Sequence, residues 1–130
     1  MNKSQIDQLI KIAGQDRICT NQADLMCYAY DSSLDSQLNK YMPDAVFTPR
    51  EAEDIPAVVA YCNGNNISIT ARGAGTGQCG GSVAPGGGLV IDMSALNRIV
   101  EVDTDNLQVI VETGVVHADL NQQLASLGFS

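Results

Sequence analysis

Eight of the twelve glycines in this chain lie between residues 73 and 88, in a segment that we call the glycine loop. Glycine tolerates positive φ angles and carries no Cβ, so successive backbone N–H groups in such a loop can converge on an anion. The loop also follows a predicted strand, and open α/β sheets usually bind ligands at the carboxyl ends of their strands. The sequence therefore predicts a phosphate-binding loop, with a flexible loop or a pair of tight turns as the structural alternative.

Two familiar phosphate-binding motifs do not fit the residues around this loop. Gly75, Gly77 and Gly80 satisfy G-x-G-x-x-G, but the dinucleotide fingerprint needs a helix to begin there, and residues 82–88 contain a proline and three glycines instead. Gly75 and Gly80 also have the spacing of a P-loop, yet Gly81 stands where that motif requires lysine. We therefore expect neither a Rossmann dinucleotide site nor a Walker-type NTPase.

Several side chains in this region could assist the backbone. Arg72, at the junction of strand and loop, could place its guanidinium near a phosphate or brace the loop through backbone carbonyls. The hydroxyls of Thr76 and Ser82 could supplement the amide donors or make ordinary turn hydrogen bonds. Cys79 has no cysteine close in sequence and no evident base, so we interpret it as a small side chain that fills a position in the loop.

The other candidate metal or redox residues do not form a site in the sequence. The four cysteines are 8, 35 and 17 residues apart without a C-x-x-C pair, and the chain has one histidine, so zinc and iron–sulfur spacings are missing. We expect mostly buried thiols without disulfides. We also expect a solvated His117 at the start of a helix, and a hairpin turn rather than a calcium loop at Asp103-Thr104-Asp105-Asn106.

A strand, a helix and a second strand are predicted to position the glycine loop. Residues 45–47 form a short apolar run, and Thr48, Pro49 and Glu51 then supply an N-cap, a first-turn proline and a capping-box glutamate. The apolar stripe of the helix that follows consists of Ile55, Val58, Val59 and Cys62. Residues 67–71 form the second strand, so the pattern predicts a right-handed βαβ unit with parallel strands.

After the loop the pattern changes to that of an antiparallel sheet. Residues 89–92 form a third apolar strand, and residues 99–103 and 107–112 alternate as the strands of a half-buried hairpin. A closing helix is predicted over residues 116–127. Because a hairpin is only marginally stable alone, we expect this sheet to be completed by sequence beyond residue 130.

The fold class predicted from these elements is α+β (α/β), a small parallel βαβ unit followed by the start of an antiparallel sheet. A first helix is predicted over residues 3–12, whereas residues 15–43 have poor periodicity and are interpreted as loop-rich. We therefore divide the chain into a lead-in, residues 1–44, and a main unit, residues 45–130.

Composition narrows the classes of function. The chain has 130 residues, 45% hydrophobic and 17% charged, which is typical of about one globular domain. Its net charge of −8 opposes sequence-independent binding to nucleic acid or anionic lipid. No apolar stretch approaches the roughly 20 residues that span a bilayer, and the first residues lack a secretory apolar region, so a cytoplasmic location is expected.

The glycine loop and its surroundings resemble a known family. Residues 70–85 resemble the pyrophosphate loop of FAD-linked oxidases of the vanillyl-alcohol oxidase and p-cresol methylhydroxylase type, and are closest to the glycolate oxidase and D-lactate dehydrogenase branch. Other segments match the branch in order and spacing: Tyr30-Asp31-Ser32-Ser33, Phe47-Thr48-Pro49, Gly88-Leu89-Val90-Ile91-Asp92-Met93-Ser94, Leu96-Asn97-Arg98-Ile99 and Glu112-Thr113-Gly114-Val115. The resemblance covers about residues 25–128 and is more specific than the glycine loop alone.

The resemblance implies that this chain is the first part of a PCMH-type FAD-binding domain whose glycine loop holds the FAD pyrophosphate. The residues that it implies for cofactor binding are Ala71, Arg72, Gly73, Ala74, Gly75, Thr76, Gly77, Gly80, Gly81 and Ser82. Relatives that link flavin covalently use a loop histidine, whereas this chain has Gln78-Cys79 and no histidine there. Non-covalent FAD is therefore implied.

The resemblance also implies parts of an enzyme that these residues do not contain. The family's second flavin segment, an Asp-Pro-Gly-Ser-like turn followed by Thr-Ile-Gly-Gly, would begin shortly after Phe129, and the substrate domain with its catalytic residues lies further downstream. We therefore expect an inactive fragment of a flavoprotein that oxidises a small 2-hydroxy acid of the glycolate or D-lactate type, with an electron-transfer subunit as a candidate partner. Two alternative functions stay open. The chain could be a stand-alone module that binds another phosphorylated ligand, or an interaction domain whose glycines only permit a turn.

Overall fold

The computed structural model describes residues 1–129 as a mixed α/β structure with two sheets. The helices are α1 (Lys3–Ala13), α2 (Gln22–Leu25), α3 (Leu34–Asn39), α4 (Ile55–Gly64) and α5 (His117–Ala125). The strands are β1 (Ile18–Cys19), β2 (Ala45–Phe47), β3 (Ile69–Arg72), β4 (Leu89–Asp92), β5 (Ile99–Asp103) and β6 (Gln108–Val111). Over residues 1–129, none of the helices has the length and apolar character that crossing a membrane requires.

A four-stranded sheet with the order β1-β2-β4-β3 forms the framework. Strands β2, β4 and β3 run parallel, and Leu89 of β4 lies between Ala45 and Ile69. The predicted parallel unit is confirmed: β2 and β4 have the predicted bounds, and β3 begins at Ile69 rather than at residue 67. All four residues of the central strand β4 are buried, which explains its mostly apolar sequence.

The lead-in is more ordered than the sequence predicted. The interpretation of residues 15–43 as loop-rich is wrong in part, because this segment contains β1, α2 and α3. Strand β1 pairs antiparallel with β2, with Ile18 opposite Phe47, and so adds an edge to the parallel unit. These elements have two, four and six residues, too few for a hydrophobic period to appear in the sequence.

Helix α4 begins later than predicted. Thr48 and Pro49 do not start it; Glu51 instead caps a 3₁₀ turn, Ala52–Asp54, and α4 follows from Ile55. The physical reason is Asp54, whose carboxylate accepts the N–H groups of Arg50 and Glu51, each at 3.0 Å, and pairs with the guanidinium of Arg17. A carboxylate held in this way satisfies the free amides at the helix start.

The sheet is covered differently on its two faces. Helices α1 and α4 cover one face with Leu9, Ala13, Val58 and Cys62, which pack on Phe47 and Ile91 among other sheet residues. Complete burial of a side chain such as Phe47 stabilises the fold by about 1.5–3 kcal/mol. Val59 does not belong to this buried set, because 37% of its surface is exposed.

The opposite face is covered by the lead-in and by the glycine loop itself. Leu25 of α2 and Ala84 of the loop pack against Val46 and Val90 of the sheet. Parallel strands are usually joined by a helix that covers the sheet. Here the loop joins β3 to β4 without a helix, and its buried residues Val83 and Ala84 take part in covering the sheet.

The predicted antiparallel hairpin is present as a second sheet of β5 and β6. Its pairing register shifts between Ile99 and Glu101, and Val100 is 62% exposed. Leu107, predicted as the first residue of the second strand, lies in the turn with a φ of +55° and is 76% exposed. The expected buried face is therefore incomplete within the described residues.

Candidate functional site

The backbone of the glycine loop has unpaired N–H groups. Within residues 1–129, the amides of residues 74–82 donate no hydrogen bond to another group of the chain. Gly75 and Gly80 have φ angles of +68° and +73°, whereas the residues around them within this segment keep negative φ. A left-handed residue next to a right-handed one can turn successive N–H groups toward one side, as in an anion nest, so the phosphate-binding interpretation of this loop stays a prediction.

Arg72 lies beneath the loop and holds it. Its side chain is buried, and its guanidinium donates to the carbonyls of Tyr30 at 3.0 Å, Ser82 at 3.1 Å and Cys27 at 3.3 Å. It also lies over the ring of Tyr28, 5.5 Å from the centroid. Of the two interpretations from sequence, loop bracing is the one that these contacts support. None of the ion pairs among residues 1–129 involves Arg72, so its charge has no carboxylate in direct contact there.

The backbone of Gly75 lies close to this brace. A Cβ built on Gly75 would collide with the Nη2 and Cζ atoms of Arg72. Its positive φ is an independent reason for glycine, since side chains are disfavoured in the left-handed region. The brace and the loop therefore fit together only with glycine at this position.

A half-buried tyrosine pairs with a buried aspartate at the same edge of the sheet. Asp92, the last residue of β4, is opposite Arg72 in the strand pairing, and its Oδ2 accepts the hydroxyl of Tyr28 at 2.7 Å. Burial, together with this hydrogen bond, raises the pKa of Tyr28 far above its ordinary value. Tyr28 therefore remains a protonated donor to Asp92.

The segment before α3 forms a second anchor for the loop. Asp31 is buried, and its Oδ1 accepts the N–H of Ser33 at 2.9 Å and the hydroxyl of Ser36 at 2.8 Å. Its Oδ2 accepts the hydroxyl of Ser82 at 3.2 Å, and the neighbouring Ser32 N–H donates to the carbonyl of Gly77 at 3.0 Å. The hydrogen bonds from Ser33, above all, hold the pKa of Asp31 well below its usual range, so this carboxylate is ionised.

A groove of about 590 Å³ opens beside the first half of the loop. Gly73, Ala74 and Thr76 line one side. The other side is lined by residues that follow β4 and β6: Ser94, Asn97, Ile99, Thr113, Gly114, Val115, Val116, His117 and Asp119. Gly114 allows these two segments to approach, because its N–H donates to the Leu96 carbonyl at 2.8 Å and a Cβ there would collide with the carbonyl of Met93.

The predicted site residues are thus divided between the groove and the anchors. Gly77, Gly80 and Ser82 lie next to the segment of Asp31 and Ser33, while Gly81 has no atom within 4 Å of the position its Cβ would take. Ala71 lies in β3 and is exposed. Sequence reasoning missed the anchoring role of Asp31 and the groove residues after β4 and β6, although the segments Tyr30-Asp31-Ser32-Ser33 and Glu112-Thr113-Gly114-Val115 carried a signal for both.

The cysteines differ from the expectation of mostly buried thiols. Cys62 is buried, but Cys27 and Cys79 are exposed. Cys79 lies in the glycine loop, outside any helix or strand, and its neighbour Gln78 is exposed as well. His117 is exposed at the first position of α5, as expected, with its Nδ1 3.3 Å from the side-chain amide of Asn121.

Comparisons with known proteins show the family and the fold of the chain. A model of the FAD binding domain family matches residues 43–130. The glycolate oxidase subunit GlcD of Bacillus subtilis is 34% identical over 128 residues, which cover 98% of this chain and 27% of that protein. The D-lactate dehydrogenase of Anaerostipes hadrus is 37% identical over 89 residues, which cover 68% of this chain and 19% of that protein.

Solved structures show the same fold. A p-cresol methylhydroxylase with bound substrate matches with a TM-score of 0.82 at 22% identity, over 97% of this chain and 25% of that one. An alkyldihydroxyacetonephosphate synthase matches with a TM-score of 0.82 at 20% identity, over 98% of this chain and 28% of that one. The predicted fold class is therefore confirmed. The chain spans about a quarter of the length of these relatives.

Proposed function

This chain belongs to the FAD binding domain family, and on that premise we propose that it forms the N-terminal part of the FAD-binding domain of a flavoprotein that oxidises a 2-hydroxy acid. The names of three relatives support the substrate class: a glycolate oxidase subunit, a D-lactate dehydrogenase and a D-2-hydroxyglutarate dehydrogenase of Pantoea ananatis, which is 39% identical over 102 residues. Glycolate, D-lactate and D-2-hydroxyglutarate all carry a hydroxyl on the carbon next to a carboxylate.

The glycine loop is the part of the chain that we propose holds the FAD pyrophosphate, through residues 71–77 and 80–82. The observation that carries this proposal is the run of unpaired amides at residues 74–82. The carbonyl of Gly77 is held by Ser32 N–H, and a trans peptide plane directs the next N–H, that of Gln78, to the opposite side. Amides fixed in this way are available to phosphate oxygens.

The space around the loop fits a bound phosphate group. No atom lies within 4 Å of the Cβ position of Gly81, and at Gly73 the nearest is the Thr113 carbonyl at 3.9 Å. A phosphate could therefore approach the backbone without displacing a side chain. The groove beside Gly73, Ala74 and Thr76 offers room for the rest of a dinucleotide on the same side.

Because the whole chain is negatively charged, the proposal depends on positive groups close to the loop. The chain has a net charge of −8, which by itself repels a pyrophosphate. The buried guanidinium of Arg72 has no ion-pair partner among residues 1–129 and lies directly beneath the loop. Its charge, with the amide dipoles, makes this the favourable place for an anion while its hydrogen bonds hold the loop carbonyls.

In this proposal the chain binds and orients its cofactor and supplies no catalytic residue. Bound FAD supplies the hydride-accepting chemistry, and the protein determines where the flavin meets the substrate. No histidine lies in the loop, which supports non-covalent attachment. In this proposal the 2-hydroxy acid binds outside residues 1–130, and the relative described as a subunit supports the presence of a partner subunit.

The experiment uses the product of the longest open reading frame that contains residues 1–130. We expect the purified protein to be yellow, and acid precipitation to release FAD, identified by chromatography, into the supernatant. Anaerobic addition of glycolate, D-lactate or D-2-hydroxyglutarate should bleach the flavin absorbance for at least one of the three. A colourless protein that does not take up added FAD would contradict the cofactor assignment, and a flavin that none of the acids bleaches would contradict the substrate class.

A further inference from the structure

We propose that Asp31 is a positioning residue for cofactor binding, which fixes the far end of the glycine loop through the hydroxyl of Ser82. The proposal rests on the function proposed above and assigns a role to a residue outside the loop. Asp31 lies 51 residues before Ser82 in the chain, yet its Oδ2 accepts the Ser82 hydroxyl at 3.2 Å.

Ser82 is held twice, by two groups of opposite charge. Its carbonyl accepts from Nη1 of Arg72 at 3.1 Å, and its hydroxyl donates to Asp31. Backbone and side chain are therefore both fixed at the residue where the loop turns back toward the buried Val83 and Ala84. Since an ionised carboxylate only accepts hydrogen bonds, the Ser82 proton is directed toward Asp31 and away from the proposed phosphate site.

Asp31 itself has little freedom to move. Its carboxylate is bound by the Ser33 N–H and the Ser36 hydroxyl, its backbone N–H donates to Ser36 Oγ at 3.0 Å, and its carbonyl accepts from the Gln37 side chain at 2.5 Å. Ser33 is also the N-cap of α3. The anchor is therefore part of a helix start and not a mobile side chain.

The same segment fixes the middle of the loop. Ser32, next to Asp31, donates its N–H to the carbonyl of Gly77 at 3.0 Å. Asp31 and Ser32 thus contact the loop at two points that lie on either side of Gly80 and Gly81. A network that holds a ligand-binding loop before the ligand arrives reduces the conformational entropy lost on binding. Weakening the Asp31 contact should therefore lower FAD affinity although Asp31 itself makes no cofactor contact.

The test measures FAD binding by the flavin-free intact gene product. Asp31→Asn keeps the shape and can still accept from Ser33 and Ser36, but its amide donates to the Ser82 hydroxyl, so the hydrogen bond is reversed and no longer involves a charged group. Ser82→Ala removes the other partner of the same hydrogen bond. Asp35→Asn is the matched control, because Asp35 is exposed on α3 and, within residues 1–129, its carboxylate hydrogen-bonds to the side chains of Asn39 and Tyr41 and to no loop residue.

We expect the dissociation constant of FAD to rise about tenfold in Asp31→Asn and in Ser82→Ala, the factor that one hydrogen bond to a charged group supplies. The double variant should bind no more weakly than Ser82→Ala alone, because both changes remove the same charged hydrogen bond. The ³¹P resonances of bound FAD should shift in both single variants and stay in place in Asp35→Asn. That signature would not follow from a general loss of stability.

Each outcome decides the proposal. If Asp31→Asn binds FAD like Asp35→Asn, or if the two single effects add fully in the double variant, Asp31 does not act through Ser82. If the unsubstituted protein does not bind FAD, the proposed function fails instead, and the role of Asp31 fails with it. If Asp31→Asn does not fold, Ser82→Ala and its ³¹P spectrum still test the contact, since Ser82 is only partly buried.

Discussion

Replacing Gly75 by alanine tests how the glycine loop and its brace fit together. Two independent penalties are expected. The φ of +68° is in the left-handed region, which disfavours a residue with a side chain by about 1–2 kcal/mol. The added Cβ would also occupy the position of the Arg72 guanidinium, so that this group must move.

The size of the second penalty follows from the contacts of Arg72. Its guanidinium makes three hydrogen bonds to backbone carbonyls. Losing one hydrogen bond to a charged group costs about 1.5–3 kcal/mol. Because Arg72 is only 9% exposed, water replaces little of that loss. We therefore expect Gly75→Ala to lower the free energy of unfolding by about 2.5–5 kcal/mol, a large part of the roughly 5–15 kcal/mol of a typical domain.

Urea unfolding of the 130-residue chain, followed by circular dichroism, measures this effect. Gly81→Ala is the matched control, because no atom lies within 4 Å of its Cβ position and its φ is not left-handed. We expect the control to change the free energy of unfolding by no more than about 0.5 kcal/mol. The collision is with Arg72, so in an Arg72→Ala background Gly75→Ala should retain only the left-handed penalty of about 1–2 kcal/mol.

Two results would refute this reasoning. An effect of Gly75→Ala equal to that of Gly81→Ala would show that the loop accepts a side chain at residue 75. An effect of the same size with and without Arg72 would show that the brace is not what excludes the side chain.

Three further predictions concern cofactor binding, packing and pH. The family resemblance implies that a second flavin segment after Phe129 completes the grip on the pyrophosphate, so the 130-residue chain alone should bind FAD no more tightly than about 1 μM. A tighter one-to-one titration isotherm would contradict this. Gly114→Ala should destabilise the chain by about 1–3 kcal/mol, because its Cβ would overlap the Met93 carbonyl and lie 2.8 Å from the Leu96 carbonyl oxygen. Gly73→Ala is the control, because the atom nearest to its Cβ position is 3.9 Å away, and it should change the free energy of unfolding in urea little. Equal effects of Gly114→Ala and Gly73→Ala would count against the close approach at Gly114. The pKa of Asp31 is lowered in the folded chain, so its stabilising effect is present above its unfolded pKa of about 3.9 and is lost as the pH falls through the lower folded value. The difference in free energy of unfolding between the unsubstituted chain and Asp31→Asn should therefore become smaller as the pH falls from about 6 to about 2. A constant difference would contradict the lowered pKa of Asp31.

The parts of the fold that the sequence predicted are those with a strong local pattern. Strands β2 and β4 were predicted with their bounds because central parallel strands are buried on both faces and have apolar sequences. The start of α4 was predicted at the wrong residue, because two capping pairs are plausible in the sequence: Thr48 with Glu51, and Glu51 with Asp54. The choice between them depends on the ion pair between Asp54 and Arg17, residues 37 positions apart in the chain.

The site was predictable to a similar degree. The density of glycines located the loop, but the role of Arg72 stayed open until its three carbonyl acceptors were known. Two of those acceptors belong to Cys27 and Tyr30, which lie more than 40 residues before Arg72 in the chain. Asp31 likewise lies more than 40 residues before its partner Ser82. Contacts over such separations have no period or spacing that a single sequence can reveal.

The burial of Val83 and Ala84 has a consequence for the thermodynamics and kinetics of ligand association. These two residues insert the end of the glycine loop into the packing of the sheet, so the loop becomes ordered when the chain folds. An anion that reaches its amides meets a surface already in place, and the entropy of ordering the loop does not reduce the affinity. Association should therefore need no slow closing step, and affinity differences among variants of this surface should appear mainly in the rate of dissociation.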